Sequence, residues 1–240
     1  MLDFLNQEAD PETGKRLRKV RSFVLREGRL TRGQEKALER LWPVHGLERA
    51  DGLLDPEAVF GRRAPLVLEL GYGMGQSLVA MAERERDKDF VGIEVHRPGV
   101  GSLLMGIEEH ALTNLRTYCD DGVEILEECI PDAALHRLQL YFPDPWPKKK
   151  HHKRRIVQPG FLDLVHRKIE PGGVLHMATD WADYAEYMLE VIGQVQGWTN
   201  RAGKGQYAQR PEWRPLTRFE QRGENKGHEV HDIVLEKTTS

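Results

Sequence analysis

Cysteine is nearly absent: the 240 residues contain two, Cys119 and Cys129. Their spacing matches no zinc or redox motif, so neither a disulfide framework nor a thiolate metal site organises the fold. Long apolar runs are missing too, which excludes a bilayer-spanning helix. The opening residues Met1-Leu2-Asp3-Phe4-Leu5-Asn6 lack the basic and apolar regions of a secretory leader. These absences predict a soluble, cytoplasmic protein. An excess of positive charge is also lacking, with 35 Lys and Arg against 38 Asp and Glu and a formal net charge of -3. The overall balance is not that of a nucleic-acid binder, so the distribution of charge has to decide.

That distribution is uneven. Asp3, Glu8, Asp10 and Glu12 come first, followed by Lys15, Arg16, Arg18, Lys19, Arg21, Arg26, Arg29 and Arg32, with Glu27 the only acid among them. No apolar period runs through this stretch. It predicts a mobile basic arm over 1–34 ahead of a folded domain over 35–240. Apolar residues make up 39% of the chain, enough for the core of one such domain. A helix is expected over 34–41, with Ala37, Leu38 and Leu41 on one side and Pro43 and Gly46 ending it. Strands are then expected over 66–70, 90–95, 115–119, 138–142, 174–178 and 228–235. Helices are expected over 77–85, 103–110, 123–129, 161–169 and 184–195, with Pro171-Gly172-Gly173 stopping the fourth. Strands alternating with helices predict an α/β fold, a parallel sheet covered on both faces. Ligands of such sheets sit beyond the carboxyl ends of the strands.

Three loops at those ends form one set. Glu69-Leu70-Gly71-Tyr72-Gly73-Met74-Gly75 carries alternating glycines that allow a sharp turn and close approach of a ligand. A dinucleotide fingerprint would place the third glycine one residue later. Glu69 ahead of the glycines would repel a pyrophosphate and suits a cationic ligand. Glu94, at the end of the second strand, can accept hydrogen bonds from both hydroxyls of a ribose. Asp120-Asp121-Gly122 is placed to meet an adenine amino group. A helix follows it, so a helix cap is the competing role for one of the two aspartates. The order and spacing suit one nucleoside ligand. Over roughly 64–195 the chain resembles the class I S-adenosylmethionine-dependent methyltransferases, which implies a doubly wound, Rossmann-like sheet, mostly parallel with a late antiparallel strand. By that resemblance Gly71, Gly73 and Gly75 face the methionine moiety, Glu94 the ribose and Asp121 the adenine.

The fourth strand ends in Tyr141-Phe142-Pro143-Asp144-Pro145-Trp146-Pro147. Three prolines in five residues fix the backbone around one acid. The loop resembles those with which base-modifying methyltransferases hold a planar base. Lys148-Lys149-Lys150-His151-His152-Lys153-Arg154-Arg155 follows at once, six cations in eight residues without an acid, and reads as a polyanion contact. Two histidines among ammonium groups make a poor cation site, and no metal is expected there. With Thr179-Asp180-Trp181, the block Pro215-Leu216-Thr217-Arg218-Phe219-Glu220 and the arm segment over 21–34, these motifs closely resemble the tRNA (guanine-N7-)-methyltransferase family, across nearly the whole chain. The resemblance implies methyl transfer from S-adenosyl-L-methionine to a guanine in the variable loop of tRNA, by the bacterial form that needs no second subunit. It implies cofactor positions at Glu69, Glu94, Asp121 and Asp144, with Asp144 also catalytic. It implies substrate contacts at Lys148, Asp180, Thr217, Arg218, Phe219 and Glu220, and RNA contacts at Lys150, His151, His152, Lys153, Arg154 and Arg155. Read from the residues alone, a methyltransferase of another RNA or of a small molecule, a nicotinamide-dependent dehydrogenase and a silent RNA-binding module stay open as rivals.

Overall fold

The computed structural model describes residues 28–216, 220 and 229–238. The arm as far as residue 27, and Thr217, Arg218 and Phe219, lie outside the described residues. The elements run α1 (Arg32–His45), β1 (Gly46–Leu47), α2 (Pro56–Phe60), β2 (Leu66–Leu70), α3 (Gln76–Arg84), β3 (Asp89–Ile93), α4 (Arg97–Glu109), β4 (Leu115–Tyr118), α5 (Gly122–Glu128), β5 (Leu135–Tyr141), α6 (Pro159–Lys168), β6 (Ile169–Thr179), α7 (Ala182–Ile192), β7 (Trp198–Asn200) and β8 (His231–Lys237). Short 3-10 turns occupy Arg49–Asp51 and Lys149–Arg154.

The eight strands form one sheet in the order β1-β4-β3-β2-β5-β6-β8-β7. β1 to β6 pair in parallel, and β8 runs antiparallel to both β6 and β7. This is the doubly wound, mostly parallel sheet with a late antiparallel strand that the sequence implied. β2 and β3 are buried at every position, as strands covered on both faces must be. One core lies under α5, α6 and α7, with Leu68, Leu138, Phe161, Leu175 and Met188 among its members. The other lies under α1, α3 and α4, with Val67, Phe90, Leu103, Ile107 and Leu115.

Three boundaries differ from expectation. α1 starts at Arg32, inside the segment read as arm. Thr31 caps it with a reciprocal box: its side chain accepts from the Gln34 amide while the Gln34 side chain accepts from the Thr31 amide. Buried Gln34 then donates to the Pro98 carbonyl at 3.0 Å, tying α1 to α4. Pro43 does not end the helix, which continues to His45. The run Pro171-Gly172-Gly173 also does not precede its strand. It lies within β6 as an irregularity, where pairing jumps from Leu135↔Ile169 to Arg137↔Val174.

Candidate active site

β2 lies between β3 and β5, so the connections wind outward on one side through β3 and β4 and on the other through β5 and β6. At the carboxyl ends of the strands flanking that reversal are two adjoining hollows of about 370 and 440 Å³, which share Gly71, Tyr141 and Phe142 as walls. The first is lined by Glu94, Asp120, Asp121 and Asp144 among apolar neighbours including Leu70, Ile93, Leu140 and Ile156. The second is lined by Glu69, the glycine loop and Arg214. Thus Glu69, Glu94, Asp121 and Asp144, spread over 76 positions of sequence, border two hollows that share walls.

The glycine loop is fixed from below. The Gly71 amide donates to the Ile93 carbonyl at 2.8 Å, and buried Tyr72 shares a 2.7 Å hydroxyl contact with Thr117. Gly71 and Gly73 adopt φ of +76° and +60°, and a Cβ on either would meet no atom within 4 Å. It would instead project into open space, where a ligand approaching the backbone would collide with it. Gly75 differs, because a Cβ there would press on Leu103 of α4 at 2.6 Å.

Glu69 is 3% exposed, and one of its carboxylate oxygens is buried without a hydrogen-bond partner. Desolvation pushes its pKa up to about 8; Arg137 pulls it down and Glu94 pushes it further up. An unpartnered acid beside a glycine cradle fits the cationic amino group of a ligand. Glu94 is engaged differently: one oxygen accepts from the Gly73 amide at 2.8 Å, the other from the Val95 and His96 amides at 2.8 and 3.0 Å. It therefore ties the glycine loop to the start of α4, and its oxygens retain lone pairs for ligand hydroxyls. Asp121 is the helix cap, accepting from the Val123 amide at 3.0 Å, while Asp120 accepts from the Asp121 amide. Arg49 braces this corner through Glu128 at 2.5 Å and through Glu124, and lies 3.9 Å from Asp120.

Asp144 sits exposed on a loop whose backbone is held open by strain: Phe142 and Trp146 both take positive φ, 50° and 44°. Such conformations are uncommon for aromatic residues and persist only where the surroundings impose them. The Phe142 amide donates to the Ala178 carbonyl at 2.8 Å, and the Arg154 guanidinium covers the Trp146 ring at 4.8 Å.

Arg155 is a correction. It belongs by position to the basic run, but it is 1% exposed. Its Nε donates to the Pro145 carbonyl at 2.9 Å, its Nη2 pairs with Asp183, and its guanidinium lies over Tyr184 and Tyr187 at 4.9 and 4.8 Å. It fastens the Asp144 loop to α7 and has no face left for phosphate. His152 is half-buried, with a ring nitrogen that reaches neither solvent nor a partner. Lys148, Lys149, Lys150 and Lys153 are exposed, and His151 and Arg154 are partly so.

Glu220 is a second correction. Expected to touch substrate, it is 2% exposed and paired with Arg214, which also grips Asp232 through Nε and Nη2 at 2.8 Å each. Sequence reasoning missed this network. Asp232 accepts from His176 Nε2 at 2.7 Å, and His176 Nδ1 meets both the Tyr141 hydroxyl and the Trp213 indole N–H at 2.9 Å. An indole can only donate, so Nδ1 is an acceptor and the ring is neutral with its proton on Nε2. Burial pushes His176 below its ordinary value, in agreement. Burial opposes ionisation of Asp232, yet the bonds from His176 and Arg214 outweigh it and hold that carboxyl low. The only signal in the sequence was a histidine in the otherwise apolar run Val174-Leu175-His176-Met177-Ala178.

The fold is that of a class I methyltransferase. The 16S rRNA methyltransferase KamB shares the fold with a TM-score of 0.56 at 15% identity, covering 78% of this chain and 95% of its own. The antibiotic-resistance methyltransferase Kmr does so at 0.53 and 14%, covering 81% and 94%. A family model described as "Putative methyltransferase" matches residues 63–233. Proteins named tRNA (guanine-N(7)-)-methyltransferase are 67% identical in Alcanivorax borkumensis over 99% of both chains, 56% in Pseudoalteromonas atlantica over 99% of both, and 54% in Escherichia coli O139:H28 over 98% of both. The chain belongs to the tRNA (guanine-N(7)-)-methyltransferase family.

Proposed function

We infer that the chain methylates N7 of a guanine in the variable loop of tRNA, using S-adenosyl-L-methionine. Beyond family membership, one observation carries the reading: the unpartnered Glu69 oxygen and the open Gly71–Gly73 cradle border a hollow that shares the Gly71, Tyr141 and Phe142 walls with the one Asp144 lines. When bound, S-adenosyl-L-methionine supplies an electrophilic methyl group. Glu69 would take its amino group, Gly71, Gly73 and Gly75 would shape the seat of its methionine portion, Glu94 would hold its ribose, and the turn at Asp121 would face its adenine. N7 of guanine has an in-plane lone pair and carries no proton, so the site needs no general base. Its work is alignment, and Asp144 and Asp180 would stabilise the positive charge that appears on the base. Lys148 and Asp180 would contact the substrate, together with the block containing Thr217, Arg218 and Phe219, while Glu220 would act through Arg214. Lys150, His151, Lys153 and Arg154 would meet phosphates, and the basic arm ahead of α1 would add to them. One chain would suffice, without a second kind of subunit.

The test is an assay of bulk tRNA against ribosomal RNA with labelled cofactor, followed by mass-spectrometric mapping of the modified nucleoside. Label in 7-methylguanosine of tRNA is the expected result. Label in ribosomal RNA, or at another guanine atom, would overturn it.

A further inference from the structure

The five tryptophans of this chain are not in equivalent settings. Trp42 donates its indole N–H to Glu48, Trp146 lies under Arg154, Trp198 meets His166 edge to face, and Trp213 bonds His176 while Arg137 covers it. Trp181 alone is 43% exposed, and its indole has no ring contact or hydrogen bond among the described residues.

Its place is set by the sheet. Tyr141 of β5 pairs with Ala178 of β6. Three residues beyond that pair on one strand stands Asp144; three beyond it on the other stands Trp181. The two leave the same end of adjacent parallel strands. The turn bearing Trp181 is rigid: its amide donates to the Thr179 hydroxyl at 3.2 Å, and its carbonyl accepts from the Tyr184 and Ala185 amides at 3.0 and 2.9 Å. The same turn is fastened to the Asp144 loop, because Asp183 holds Arg155 and Arg155 holds the Pro145 carbonyl. The exposed cations at Lys148, Lys149 and Lys150 follow that loop directly.

We propose that Trp181 is a substrate-binding residue whose indole stacks on the target purine as it is presented to Asp144. A flat, polarisable surface on a turn tied to the loop that leads into a cationic run suits a base drawn out of its stack, and stacking of this kind tolerates loss of the base's former partners. The proposal rests on the reading of the substrate as RNA, and a wild-type enzyme that leaves tRNA unmethylated would sink that reading first.

The experiment measures binding of the cofactor-loaded enzyme to two tRNAs, one intact and one with an abasic residue in place of the methylated guanine. Wild type should prefer the intact tRNA. W181A should bind intact tRNA about 5- to 160-fold more weakly, the range of a lost base–aromatic stack, and should bind both tRNAs alike. W181F should keep most of the preference, and cofactor affinity and melting temperature should stay at wild-type values in both variants. If W181A weakens both tRNAs equally, or leaves intact tRNA binding unchanged, the assignment is wrong. It is equally wrong if W181A and W181F lose affinity together with cofactor binding, which would make the ring a structural support.

Discussion

Burial pushes the Glu69 carboxyl up to about 8, so a cofactor whose amino group pairs with it, as proposed, would bind with coupling to a proton. The free protein keeps a proton on Glu69 that an unfolded chain, with an ordinary value of 4.5, has already released. Between those values the folded state binds more protons, so this group makes the ligand-free protein less stable as pH rises through the window. A cationic amino group favours the charged carboxylate, so binding expels the proton. The dissociation constant for S-adenosyl-L-methionine should therefore fall by up to about tenfold per pH unit from pH ~6 towards ~8. Calorimetry in two buffers of different ionisation enthalpy should show proton release, and Glu69→Gln should abolish both effects. At saturating cofactor and tRNA the chemical step should behave otherwise. No proton leaves N7, so the single-turnover rate should stay level from about pH 6 to 8 in the wild type and in a slower Asp144→Asn. A rising limb that vanishes in Asp144→Asn would make Asp144 a base and the reacting atom one that loses a proton. The legibility of these residues differed for a physical reason. That Glu69, Glu94 and Asp144 gather at the carboxyl edge of the sheet could be read because strand-end acids are local in sequence. Whether Asp121 caps a helix or faces a ligand could not, since both roles use the same short acid before the same amide; the structure shows the cap.

The Asp144 loop shows what an element needs beyond its own residues. Its prolines are visible in the sequence, but the clamp is not, since Asp183, Tyr184 and Tyr187 lie some thirty residues beyond Arg155. Charge density along the chain grouped Arg155 with the exposed cations; packing from α7 separated it. Similarly, the β6 irregularity at Pro171-Gly172-Gly173 looked like a helix stop because a bulge and a stop use the same residues. The strand centres, by contrast, were legible from their apolar runs. Because Arg155 spans a carbonyl, a carboxylate and two rings, lysine should not replace it. Arg155→Ala and Arg155→Lys should both lower the melting temperature, with a loss of about 1–3 kcal/mol for the alanine variant, from the lost packing on Tyr184 and Tyr187 and the hydrogen bond lost at the Pro145 carbonyl. Both should reduce the methyl-transfer rate more than tRNA affinity, measured by single-turnover kinetics beside equilibrium binding. If tRNA affinity falls and stability does not, Arg155 contacts phosphate after all.

At the scale of the molecule, attraction for a polyanion has to be local, since the net charge is -3. The fold provides this by setting the run 148–154 directly after the strained loop, in the 3-10 turn Lys149–Arg154, while the acids Glu69, Glu94 and Asp121 line the adjoining hollows. Lysines 148, 149, 150 and 153 are exposed, while Arg155 and the half-buried ring of His152 face inward, so fewer side chains of the run are open to a polyanion than its charge count suggests. If about four cations meet phosphates, the log–log dependence of tRNA affinity on salt should have a slope of roughly -3 to -4, since each released counterion contributes about 0.7 to 0.9. Replacing Lys149, Lys150 and Lys153 with Ala should make that slope shallower by about 2 to 3. Arg154 is left in place so that its cover over Trp146 is kept. Because these side chains stand clear of the Glu69 and Glu94 seats, cofactor affinity in the triple variant should match wild type. Equilibrium binding across a salt series, with calorimetry of the cofactor alongside, measures both. A triple variant whose slope equals that of the wild type would mean the run is solvated surface and that tRNA is held elsewhere. A slope that flattens together with a loss of cofactor binding would mean the substitutions had disturbed the Asp144 loop rather than removed phosphate contacts.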